Sequence, residues 1–120
     1  MHELSIAQSL LDIIAQQAQI YGAKRVTRVN LRIGALSGVV PEALSFAFEV
    51  LSKGHLAEGA TLEIEEVPVR IRCERCGVFE GIPFLVCPKC GEIAELLSGR
   101  ELEIYSMEIE DGSEGSEGYS

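Results

Sequence analysis

The sequence predicts a mixed α+β fold: a small three-stranded sheet packed by two helices, with a projecting zinc-ribbon-like lobe built on four cysteines. Three observations carry this. Residues 5–21 and the stretch from Pro41 onward place apolar side chains at helical spacing. Residues 25–33, 61–72 and 101–109 read as strands. Between the last two strands lie two CxxC pairs, over residues 73–90, which interrupt them and are expected to project as a separate lobe. The expected order is helix, strand, helix, strand, cysteine module, strand.

The first helix follows from Leu4, Ala7, Leu11, Ile14 and Ala18, with Ile6, Leu10 and Ile13 widening the stripe. Ser5 and Gln8 fit a capping box, and Gly22 supplies a left-handed residue to end the helix. In 25–33, Val29, Leu31 and Ile33 point one way and Arg28, Asn30 and Arg32 the other, as in a half-buried strand. Gly34 and Gly38 open a loop. Pro41 suits the first position of a second helix, with Leu44, Ala47, Phe48 and Leu51 as its apolar face and Gly54 at its end. Residues 61–72 read as one strand with a slip in phase near Glu65 and Glu66, which predicts a bulge, with Pro68 at an edge or bulge position. The domain division expected is 1–70 plus 100–110 for the body, 71–99 for the lobe and 111–120 for a disordered tail of Gly, Ser and acid.

The chain has 120 residues, 47% hydrophobic, which fits one small domain carrying a module. Its net charge of −9 is uneven. All ten Lys and Arg lie within residues 1–100 against twelve acids, and the last twenty residues hold seven acids and no base. A nearly neutral body with an acidic tail is a poor electrostatic match for nucleic acid. No stretch resembles a signal peptide or is apolar enough to span a bilayer, so the expected location is cytoplasmic, with no membrane partner.

The module reads Cys73-Glu-Arg-Cys76-Gly77, then Cys87-Pro-Lys-Cys90-Gly91. A two-residue gap lets one tight turn aim two thiolates at one ion, and the trailing glycine permits the sharp reversal. Two such turns supply the four-thiolate tetrahedron of structural zinc sites. Disulfides are the alternative, disfavoured in a cytosolic chain. Iron in a rubredoxin-like carrier is another, because four sulfurs suit either metal. Four thiolates leave no open position for water or substrate, so catalysis at this ion is not expected.

The chain's other metal-binding feature is its start. His55 falls in the loop after the second helix and reads as a solvated residue without a role. His2 lies next to the α-amine of Met1. Together they offer the amine, the His2 amide nitrogen and imidazole Nδ1, closing a five- and a six-membered chelate ring. Glu3 can add a fourth donor through its amide or carboxylate. Coordination through a deprotonated amide suits ions that accept planar nitrogen shells, Ni(II) or Cu(II). A zinc-ribbon adaptor would explain the cysteines but give His2 no task. A hydrolytic metalloenzyme lacks the His and carboxylate set that activates water.

Taken together, MHELSIAQSLLDII, GAKRVTRVNLRIGALSGVVPEALSFAFEVL, EGATLEIEEVPV, CERCG, CPKCG and SGRELEIYSMEIE resemble the HypA/HybF family of hydrogenase nickel-incorporation proteins. The resemblance covers residues 1 to about 110. It implies a metallochaperone and not an enzyme. It places Ni(II) cargo at Met1, His2 and Glu3, with His2 indispensable, and structural Zn(II) at Cys73, Cys76, Cys87 and Cys90. The partners implied are the GTPase HypB, the precursor of the [NiFe]-hydrogenase large subunit and, in some bacteria, the urease system. A monomer or weak homodimer is expected. Some members carry a further His in a longer zinc loop; this loop is short and has none, so that extra ligand is absent here.

Overall fold

The computed structural model describes residues 2–82 and 84–111. The expected tail lies outside the described residues, except that the backbone of Asp111 ends the last strand. The elements run α1 (Glu3–Ile20), β1 (Ala23–Gly34), α2 (Pro41–Leu51), β2 (Thr61–Val67), β3 (Arg70–Cys73), β4 (Gly77–Glu80), β5 (Glu95–Ser98) and β6 (Leu102–Asp111). Two three-stranded sheets result, ordered β2-β1-β6 and β4-β3-β5. The expected α+β architecture holds. No helix among the described residues is long and apolar enough to cross a membrane.

The chain divides into two compact units. One comprises Met1–Leu31, Val39–Ile64 and Ile104–Ser120; the other, Arg32–Gly38 and Glu65–Glu103. In the first, α1 packs on α2. Of the side chains the periodicity selects, Ala7, Leu10, Leu11, Ile14 and Ala18 from α1, Val29 and Leu31 from β1, and Leu44, Ala47 and Phe48 from α2 are buried. Leu4 and Ile13 of the expected stripe instead face solvent at 62% and 45% exposure, because they lie at the margins of the face that packs inward. The opposite face of β1 is polar. Arg28 there pairs with Glu63 at 3.0 Å and Glu108 at 3.7 Å, and Asn30 donates to Ser106 Oγ at 2.8 Å.

Two expectations fail on long-range structure. The helix starts at Glu3, not Ser5, with His2 as its N-cap and no side-chain cap bond. The supposed capping box does not form, since Gln8 Nε2 donates to Asp12 Oδ1 along the helix instead. Residues 61–72 are not one bulged strand. They are β2 and β3 in different sheets, separated at Pro68, which has no N–H to continue a ladder.

His55 is also not an idle loop residue. Its Nδ1 accepts the Ala57 N–H at 3.0 Å, so the ring proton sits on Nε2, which donates to the Leu11 carbonyl at 3.1 Å. The imidazole thereby ties the loop after α2 to the middle of α1.

In the second unit, β3 pairs antiparallel with β4 and β5, and Val69, Ile71 and Ala94 form a small core with Phe79, Ile82 and Leu96 packed on it. Gly34 and Gly99 meet back to back there. A Cβ on Gly34 would stand 2.1 Å from the Gly99 carbonyl carbon and oxygen. The approach lets Leu36 N–H donate to Gly99 O at 2.6 Å and Gly34 N–H to Glu101 O at 2.8 Å. Gly34→Ala must push backbone aside, and overpacking of this kind costs about 1–3 kcal/mol or more. We expect its thermal midpoint to fall by at least about 5 °C in a calorimetric scan; an unchanged midpoint would show that the strands can part freely.

Candidate metal centre

The cysteine module is assembled from β3, β4 and the turns beyond them. Cys73 ends β3 and pairs in register with Gly77, so the first CxxC is the turn of the β3–β4 hairpin. The second closes on itself: Cys87 N–H donates to Glu92 O, and Gly91 N–H donates back to Cys87 O. Gly77 at φ 97° and Gly91 at φ 78° occupy the left-handed region, the conformation for which the sequence places glycine after each pair.

These two turns bring Cys73, Cys76, Cys87 and Cys90 together. Their four sulfurs lie within 4.8 Å of one another. Cys73 Sγ and Cys90 Sγ are 3.6 Å apart, far beyond a disulfide bond of about 2.05 Å. A zinc ion with bonds of about 2.3 Å needs sulfurs roughly 3.8 Å apart at tetrahedral corners, so the cluster has the right span.

The electrostatics favour a cation at its centre. Burial works to raise the Cys87 thiol, yet the N–H groups of Cys90 and Lys89 outweigh it and bring it down to about 6. Lys89 N–H lies 3.4 Å from the Cys87 sulfur. Cys76 moves the other way. Its hydrogen bond with Cys87, reinforced by burial, pushes it up to about 12. One thiolate is thus ready near neutral pH, while its neighbour holds its proton until a divalent ion takes over that charge.

The N-terminal residues occupy the other unit. Met1 lies outside the described residues. His2 is exposed, and its ring makes no cap bond to the helix. Its carbonyl accepts the Ile6 N–H at 2.9 Å, so its backbone opens α1. Glu3 is buried at 8% exposure, and its Oε2 accepts the Val40 N–H at 3.0 Å. That bond joins the first turn of α1 to the residue preceding α2. Sequence reasoning missed this contact. Its one local signal is an acid at the first helical position, where the dipole favours it in any helix.

Comparison with known proteins follows the same lines. A family model described as "Hydrogenase/urease nickel incorporation, metallochaperone, hypA" matches residues 1–109. The hydrogenase maturation factor HypA of Roseiflexus sp. (strain RS-1) is 48% identical over 115 residues, covering 92% of this chain and 94% of that protein. That of Dehalococcoides mccartyi (strain CBDB1) is 44% identical over 119 residues, covering 97% and 100%. Among solved structures, the solution structure of the Ni metallochaperone HypA from Helicobacter pylori superposes with a TM-score of 0.69 at 28% identity, covering 92% of this chain and 99% of that one.

Proposed function

This chain belongs to the HypA family of hydrogenase/urease nickel-incorporation metallochaperones, and from that premise we propose that it carries Ni(II) on its first three residues and holds Zn(II) at its four cysteines. It is a hydrogenase maturation factor. The finer reading is that His2, with the Met1 amine and amide nitrogens, captures nickel, while zinc shapes the lobe.

The observation that carries this is the position of His2 as the N-cap of α1. The first N–H groups of a helix have no acceptor within it. The amide nitrogens of His2 and Glu3 can therefore lose their protons to a metal without breaking a helical hydrogen bond. The Glu3 carboxylate already serves Val40, which favours the Glu3 amide as the fourth donor. Charge also balances. The ammonium and two amides each release a proton to solvent as a doubly charged ion takes their place, so the loaded terminus is no more positive than the empty one. This matters at the positive end of a helix dipole.

Delivery is to the hydrogenase large-subunit precursor, with a HypB-type GTPase and, in a urease-bearing cell, the urease system as further partners; the setting is the cytoplasm. The nickel assignment is tested by calorimetric titration of Ni(II) into protein with its native terminus, wild type against His2→Ala. We expect one ion per wild-type chain, and a loss in the variant exceeding the roughly hundredfold that removal of an outer-shell partner costs. Because the His2 ring caps nothing, the variant should keep its helix signal. Equal affinity would overturn the assignment.

A further inference from the structure

We propose that the outer edge of β6, with the groove between it and α1, receives an extended segment of a partner protein in which apolar residues alternate with lysine or arginine. Among the described residues, β6 has β1 as its strand neighbour on one side and none on the other. It runs 10 residues, and neither Pro nor Lys, the usual blocks to pairing, occurs in it. Beside it lies a groove of about 560 Å³ lined by Ile13 and Gln17 of α1, by Tyr21 just past its end, and by Ile104, Met107 and Ile109 of β6. Ile13 is 45% and Tyr21 67% exposed, a large apolar wall facing solvent.

The charges on the other face specify the occupant. Arg28 serves two acids, Glu63 at 3.0 Å and Glu108 at 3.7 Å, so the edge residue Glu108 has the weaker share of one cation. Glu110 has Arg25 at 4.0 Å. A strand laid along β6 sends alternate side chains to opposite faces. One set enters the groove; the other comes about 4.5–5.5 Å from its cross-strand neighbours, Glu108 and Glu110. Apolar residues suit the first set and cations the second. Main-chain bonds would supply affinity and the two faces specificity. A second copy of β6 would set acids against acids, which is destabilising. Residues 111–120 hold no base and, apart from Tyr119, no large apolar side chain, so they suit neither face.

The test is fluorescence anisotropy on the full chain with four blocked peptides of about eight residues, the common strand length. One alternates Lys with Val and Ile. The second is its scramble, the third carries Glu for Lys, and the fourth is N-methylated along one edge. The alternating peptide should bind at least about tenfold more tightly than the others, a difference of about 1.4 kcal/mol. Ile13→Gln should remove most of that advantage, and the double change Glu108→Lys, Glu110→Lys should shift preference to the Glu-bearing peptide. Equal binding of the scramble, or no binding at all, overturns the proposal. A doubled mass in light scattering that Ile13→Gln abolishes would make a second copy the occupant; binding seen only after removal of residues 112–120 would make it the tail. Either result also overturns the proposal. The assay contains no nickel, so its failure is separate from failure of the cargo assignment.

Discussion

Cys87→Ser should lose its zinc and the folded signal of residues 70–98 together. Cys87 is 2% exposed, and backbone N–H groups are aimed at its sulfur. A serine hydroxyl offers neither the charge nor the softness of a thiolate. The unit around it has little else to hold it. Its buried apolar cluster is Val69, Ile71 and Ala94, with three partly buried neighbours. Structural zinc contributes apparent binding energies of about 10–16 kcal/mol in small modules, more than such a cluster can replace. Native mass spectrometry should show one zinc per wild-type chain and none in the variant, and amide spectra should collapse for β3, β4 and β5. The far-UV helix signal, which comes from α1 and α2, separates this from global unfolding. Full zinc retention with intact spectra would sink the assignment. The same preparation separates zinc from iron, because iron on four thiolates is coloured.

The sign of the proton linkage is fixed by the cysteines. With Cys87 lowered to about 6 and Cys76 raised to about 12, the metal-free cluster at about pH 7.5 already has one thiolate and still holds the Cys76 proton. Zinc binding must expel that proton. Affinity therefore falls as pH drops, and titration heats should depend on the ionisation enthalpy of the buffer.

What could be read in advance was what is local. CxxC-Gly needs only a few consecutive residues to define its turn, and Gly77 and Gly91 adopt the conformation that this requires. The alternation Val29, Leu31, Ile33 is likewise a property of one strand, and all three are buried. The misread features depend on partners far along the chain. Ser5 and Gln8 match a capping pattern, but Glu3 meets Val40, 37 residues away, and the helix begins earlier. His55 looks idle until Leu11, 44 residues before it, supplies a carbonyl. The phase slip in 61–72 was visible as a change of parity. Whether it marks a bulge or a change of sheet depends on which strands pair, and that information lies in β1, β4, β5 and β6.

The nickel site we propose requires something no side chain records, a free amine at Met1. Adding a single glycine before Met1 turns that amine into an amide and removes the first donor of the chelate, while His2 and its ring remain. If the ion sat on the imidazole alone, the extended protein would bind as well as the native one. If the chelate is correct, the extension should be about as damaging as His2→Ala. The helix should not notice, because its N-terminus is organised by the His2 carbonyl on Ile6 and by Glu3 on Val40. Acid should act on the same donors. Each proton released on binding lowers affinity about tenfold per pH unit of acidification, so a site giving up two or three protons should weaken by on the order of a hundredfold to a thousandfold per unit. Titrations at about pH 7.5 and 6 measure this slope directly. A flat response would mean that no amide is deprotonated, and with it would go the planar shell on which the proposed preference of this terminus for nickel over zinc rests.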